Sequence, residues 1–336
     1  MKNSTPRNML TCGDIFISVP EAIPNLQPGG DIMIAKLIAL LAVPLALATS
    51  ADLQHQRDMA LDQPNYSARV HHEPNVEFMV TNFGIIGSQS GEFSDPEELD
   101  WINGFEFPAD SSIEYLFQGC LWIGAEIDTV DNQGNPILDT LVSVGNDGWW
   151  GSIYELIPPT FGYESLWEDS AASDEDIHAI YDDTTTHAPD VNPDPNDGRP
   201  HIPLGLRITQ NSFAWTAPVY NELFIIDYYF QNIGNRNLHN VWMGIYYDGD
   251  VYHSSENPYG QEQGAQDDLC GFIERGDRGI AWIADNNGQP YNGLYDYRSA
   301  RNVSGMVLLR ASEPGLQTNF NWWISNVNSP LDWGPR

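Results

Sequence analysis

The side chains best equipped for chemistry in this chain are carboxylates. Asp248-Gly249-Asp250 closes a strand-like run, and Glu256, Asp267 and Asp268 follow across a Gly/Gln/Ser-rich stretch. A glycine turn at a strand end can aim two carboxylates and a carbonyl at one point. A hard cation such as Ca²⁺ takes six to eight such oxygens at ~2.4 Å. These five acids are therefore the candidate calcium ligands, and the plainer reading is a set of solvated turns in an acid-rich chain. His253 nearby does not make the set a zinc site, because zinc asks for further nitrogen or sulfur ligands. Asp190 to Gly198 imitates a calcium loop but fails in detail: Pro195 stands where a glycine is needed, and no glutamate occupies the twelfth position.

Tryptophan is the second resource. All 11 follow residue 51, with adjacent pairs at Trp149-Trp150 and Trp322-Trp323. Neighbours on a strand point to opposite faces, so one ring of each pair should face outward or lie under a loop. Trp149, Trp150 and Trp167 are the candidate glycan-stacking residues; the competing use of such rings is to fill a broad core. Glu155, Glu164 and Glu168 lie close to them in sequence, and a glycosidase needs only two carboxylates flanking a cleft. No H-E-x-x-H, G-x-S-x-G, Walker loop or G-x-G-x-x-G is present, so the reading favours a non-catalytic protein over an enzyme.

Residues 33–51, MIAKLIALLAVPLALATSA, bear on where these groups work. Met33 and Lys36 form a short basic start, Leu37 to Leu47 an apolar core, and Ala46-Leu47-Ala48 or Thr49-Ser50-Ala51 a small-x-small cleavage site. The core falls short of the ~20 apolar residues that span a bilayer, and Pro44 interrupts it. A bacterial secretory signal is expected, with residues 1–32 a non-native extension before the true start at Met33. The mature chain is then exported, extracellular or at the cell surface, without a membrane span, and residues 1–51 should pack against nothing in it. Only three of the 14 basic and three of the 47 acidic residues precede residue 52, so the net charge of −33 belongs to the mature part. Such a surface repels nucleic acid and anionic lipid. It leaves cations, glycans and other cell-surface proteins as expected partners. Once Cys12 is removed, Cys120 and Cys270 remain; in an oxidising compartment they could pair, the alternative being two buried thiols.

The elements that must position these groups are strands. Residues 52–75 read as a polar linker, and the patterned region runs from 76 to 336. Apolar alternation marks 76–86, 113–130, 203–216, 222–233, 238–248 and 279–284, with 305–311 and 318–325 later. The stretch 131–135 is a hairpin turn into 136–144, and 285–288 is a second turn. In 238–248, Val241, Met243, Ile245 and Tyr247 share one face, and Trp242, Gly244, Tyr246 and Asp248 the other. Helix is expected only after the Ser173-Asp174-Glu175-Asp176 cap, over Ile177 to Tyr181. The fold expected is all-β: a β-sandwich, as one large or two packed sandwich-like units, with long loops and little helix.

Several blocks carry a resemblance. They are Leu121-Trp122-Ile123-Gly124-Ala125, Pro203-Leu204-Gly205-Leu206, Ser212-Phe213-Ala214-Trp215, Asn232-Ile233-Gly234-Asn235 and Tyr247-Asp248-Gly249-Asp250. Phe320 to Asn326 and the closing Asp332-Trp333-Gly334-Pro335 continue them. Together they resemble the N-terminal region of large secreted multi-domain β proteins of uncultured bacteria, which often end in an immunoglobulin-like or type IX secretion sorting domain. The resemblance implies an extracellular structural or adhesive protein and no established activity. Since the chain stops at Arg336 without such a tail, it reads as the N-terminal part of a longer protein.

Overall fold

The computed structural model describes residues 14–18, 31–32, 66–72, 74–87, 104–145, 154–159, 165–186, 200–256, 267–275, 278–312 and 318–323. Its strands, in chain order, begin with β1 (Asp14–Ser18), β2 (Asp31–Ile32), β3 (Ala68–His71), β4 (Glu77–Thr81) and β5 (Ile85–Ile86). There follow β6 (Phe105–Glu106), β7 (Ile113–Glu114), β8 (Gln118–Val130), β9 (Pro136–Val144), β10 (Leu166–Asp169), β11 (Glu175–Asp182) and β12 (Leu206–Ala214). The last are β13 (Phe224–Asn232), β14 (Leu238–Asp248), β15 (Tyr252–His253), β16 (Leu269–Arg275), β17 (Arg278–Ala284), β18 (Ser304–Val307) and β19 (Asn319–Trp323). Among the described residues the one helical element is a 3₁₀ turn at Ser254–Glu256, and none is long and apolar enough to cross a membrane.

All pairing is antiparallel. An 11-stranded sheet runs β15-β7-β6-β4-β5-β8-β14-β1-β19, with β3 on β4 and β9 on β8; a five-stranded sheet runs β10-β11-β12-β13-β2; β16-β17-β18 form a third. Inward residues of the two larger sheets meet in one core: Leu121, Ile123, Val241 and Met243 on one side, and Ile177, Tyr181, Ile208 and Phe230 on the other. Ala281 and Ile283 of β17 join it. The architecture is all-β and sandwich-like. The opposite face of β8 and β14 is covered too, by Cys120, Trp122 and Tyr246 packed with Phe83 and Ile85. Trp122 and Tyr246 stack at 5.4 Å with planes 3° apart. The two-faced alternation of β14 therefore matches its sequence pattern, because both faces meet apolar neighbours.

Four expectations are corrected. Residues 177–181 are strand, not helix: in β11, Ile177, Ala179 and Tyr181 alternate into the core, opposite Ser212, Gln210 and Ile208 of β12. The apparent cap serves a hairpin loop, where the Ala172 and Ser173 N–H groups donate to Asp176 at 2.6 and 2.7 Å. The expected linker contains β3, whose Ala68, Val70 and His71 are buried against β4. Residues 1–51 are not free of the fold: β1 pairs with both β14 and β19, and β2 pairs with β13. Finally, Cys120 and Cys270 do not pair. Cys120 is a buried thiol outside any disulfide, in the large sheet opposite Tyr246 and Ile85. Cys270, opposite Ile283 in the three-stranded sheet, is disulfide-bonded elsewhere.

Candidate functional site

Among the described residues, a group of four aspartates forms where the chain leaving β14 crosses the open end of the β16–β17 hairpin. The register Leu269↔Ala284 makes Asp268 and Asp285 the next residues outward on the two strands. Like charges so placed repel. The crossing chain comes very close: a Cβ on Gly249 would lie 2.7 Å from Ile283 Cδ1, so only glycine lets Asp250 and Val251 approach. Val251 N–H then donates to Asp268 Oδ2 at 2.7 Å.

Asp268 is 0% exposed, and its Oδ1 has no hydrogen-bond partner. Burial, with Asp250, Asp285 and Asp267 as neighbouring charges, pushes its pKa up to about 10 despite the Val251 bond. Asp285 is buried as well. Its Oδ1 accepts from Asn287 and Gln289 N–H at 2.8 and 3.0 Å, while Oδ2 has no hydrogen-bond partner. Burial and then the Asp267 charge raise its carboxyl too. Asp267 is half-buried and accepts from the Asn287 amide at 3.2 Å. Two buried carboxyl oxygens without hydrogen-bond partners thus lie beside further aspartates, and the protein's own bonds leave them uncompensated.

Of the expected ligands, the structure thus gathers Asp250, Asp267 and Asp268, and adds Asp285. Asp248 ends β14 with Oδ2 3.4 Å from the Tyr246 hydroxyl, and the charges acting on Asp268 come from the other three. The Glu256 side chain lies outside the described residues. Asp285 was visible in the sequence only as the first residue of a turn; the hairpin register puts it opposite Asp268.

No family model, curated protein or solved structure matches the chain. Function has to be argued from these side chains alone.

Among the described residues, one trio of metal-capable side chains holds its ligand atoms within 4.8 Å of one another: Asp169, Asp176 and His178. The Asp268 cluster is more open than that. Yet the trio is satisfied without an ion. Asp176 takes two backbone N–H groups and the Ser173 hydroxyl, Asp169 takes Ala171 N–H at 3.0 Å, and His178 Nδ1 lies 2.8 Å from Asn211 Oδ1. Trp167 stacks on the His178 ring at 5.3 Å and 23°, so one of its faces is already occupied. Trp149 and Trp150 lie outside the described residues.

Of the carboxylates considered for glycoside cleavage, Glu164 lies outside the described residues, and Glu155 and Glu168 do not share a cleft. Glu168 is exposed and pairs with Arg69 at 3.3 Å. Glu155 is sealed in the interior, accepting from Val144 N–H at 3.0 Å and facing His201 Nδ1 at 3.3 Å. His201 Nε2 donates to the Asp183 carbonyl at 2.7 Å. Burial works against its charged form, but the Glu155 carboxylate together with the Asp183 carbonyl and charge outweighs that and holds the imidazole above its ordinary value. Asp183 accepts from the Ser143 hydroxyl and from Leu204, Gly205 and Leu206 N–H. This network ties β9, β11 and β12 together with every carboxylate bonded, which suits a structural role.

Proposed function

We propose that the chain is an exported, non-catalytic structural or adhesive β module, stiffened by a divalent cation at the Asp250–Asp267–Asp268–Asp285 junction, Ca²⁺ foremost. One observation carries the cation: Asp268, wholly buried, has a bare oxygen and three aspartate neighbours. A proton on Asp268 would remove one charge and leave Asp285 Oδ2 bare. A hard cation serves both and prefers such oxygens. The junction links the large sheet to the β16–β17 hairpin, so filling it would fix one sheet against the other. The acidic surface and the signal-like segment support an extracellular setting, with glycans or cell-surface proteins as partners.

The test is thermal melting of the full chain in CaCl₂ against NaCl of equal ionic strength, which controls for screening of so acidic a surface. At calcium a hundredfold above Kd the expected gain is about 2.7 kcal/mol, or roughly 4 °C for a chain of this size. Asp285→Asn should abolish most of that gain. Equal melting in the two salts would remove the cation from the reading.

A further inference from the structure

The five-stranded sheet ends on an open edge. At the start of β12, the Leu206 carbonyl accepts from Asp183 N–H at 3.1 Å, and the Gly205 carbonyl accepts from Ile233 N–H at 2.9 Å. Even-numbered residues of β12 therefore turn their backbone groups to β11, and odd-numbered ones to β13. The register Arg207↔Gln231, Thr209↔Tyr229 and Asn211↔Asp227 carries the alternation across. Phe224, Ile226, Tyr228 and Phe230 are left with N–H and C=O groups that point outward from the sheet. β2 takes up Phe230, which lies opposite Ile32 in antiparallel register. Among the described residues, no backbone group pairs with the outward N–H and C=O of Phe224, Ile226 and Tyr228.

The same edge borders a cavity of about 520 Å³ between β13, β14 and the chain from Val303 to Ser312. Side chains on a strand alternate with the same period as its backbone groups. The residues with open backbone groups are therefore also the ones whose side chains, Phe224, Ile226 and Tyr228, pack inward on the core. A strand laid on this edge would set alternate side chains beside them, on the cavity side. Ile226, Met243 and Leu309 line that space, and its charged members are Glu222, Asp227 and Arg310. Asp227 alternates to the other face of β13 and feels the Arg310 charge. Unpaired main-chain groups beside apolar space are what strand addition uses: the main-chain bonds give affinity, and room for alternate side chains gives specificity.

We propose that the β13 edge from Phe224 to Tyr228 docks an extended segment of another polypeptide, added antiparallel in line with β2 and apolar at the alternate positions that face the cavity. β2 sets the direction, because it already pairs antiparallel on the same edge at Phe230 and Gln231. The net charge of −33 disfavours an acidic strand. This edge is separate from the aspartate junction, so the proposal stands or falls without the cation.

The probe is the peptide acetyl-Thr-Val-Thr-Ile-Thr-Val-Lys-amide, titrated calorimetrically into the full chain. Its Val, Ile and Val amides would face Phe224, Ile226 and Tyr228, and its Thr amides would face away. Saturable binding of one peptide per chain is expected. Methylating the Ile nitrogen removes a donor aimed at β13 and should weaken binding by about tenfold or more. Methylating the Thr nitrogen that follows it removes a donor aimed away and should change affinity by less than about threefold. The two isomers share one charge and one composition, so apolar or electrostatic adhesion does not separate them. Ile226→Pro deletes an outward N–H from an edge strand without touching the bonds to β12, and should also weaken the peptide by about tenfold or more. Absence of saturable binding by the wild type would overturn the proposal. So would equal affinity of the two methylated isomers, a comparison made on the wild type and untouched by any folding defect of a variant. Unchanged affinity in an Ile226→Pro protein that melts cooperatively would overturn it as well.

Discussion

Asp183 and Asp268 are both 0% exposed, and their surroundings set them apart. Asp183 receives four donors, from the Ser143 hydroxyl and three successive backbone N–H groups, which oppose the upward push of burial on its carboxyl. Asp268 receives one, with three aspartates about it. The first is fully hydrogen-bonded by the protein itself, and the second needs a proton or a cation. With its folded pKa raised to about 10, Asp268 keeps a proton that the unfolded chain releases above pH ~4. The native state then binds more protons than the unfolded one across that window. The stability linked to this proton is full below pH ~4 and is lost as pH rises towards 10. In EDTA, the melting temperature should therefore fall between pH 5 and 9 more steeply for the wild type than for Asp268→Asn. Saturating calcium should shrink that difference. Parallel pH profiles for the two proteins in EDTA would show that Asp268 is not the titrating group.

At the scale of elements, strand patterns were legible wherever one face met the core and a polar turn followed. β8, its Asp131–Asn135 turn and β9 fall as the alternation predicts, with Asp131 accepting from Gln133 and Asn135 N–H at 2.8 and 2.9 Å. β11 was misread because a serine and acids before an apolar run look the same whether they cap a helix or a hairpin loop. Only the partner strand β12 decides between a period of 2 and one of 3.6. The ends of β12 and β13 meet through glycines. Gly205 has φ +83°, and a Cβ there would lie 2.8 Å from Gly234 Cα. Gly205→Ala combines a strained backbone with a clash against main chain, so it should cost about 1–3 kcal/mol. At Gly234 a Cβ would lie 3.2 Å from Gly205 Cα, without a positive φ, so Gly234→Ala should cost less. Urea denaturation midpoints of the two variants check the order.

For the molecule as a whole, export and the N-terminal pairing make opposing demands. If residues 33–51 are a cleaved signal, the secreted protein lacks β1, and β14 and β19 lose the strand that joins them. N-terminal sequencing of secreted material should then begin at Thr49 or Asp52. A start at or before Met33 would instead retain the segment and refute the signal. The charge of −33 acts on the same scale: it makes any buried carboxylate harder to ionise.

By itself, the amino-acid order determined the all-β class, the faces of β14 and the acidic surface. These are local properties, set by alternation, turn residues and charge count. It also offered Asp248, Asp250, Glu256, Asp267 and Asp268 as candidate ligands, of which the structure brings Asp250, Asp267 and Asp268 near one another. The tertiary structure decided what depends on residues distant in sequence. The β16–β17 register set Asp285 opposite Asp268, and the placement of Cys120 and Cys270 in different sheets kept them from pairing. The fold also left a cavity of about 520 Å³ between β13 and β14, although each strand keeps its own apolar pattern. No periodicity along one strand encodes how far away the facing sheet will lie.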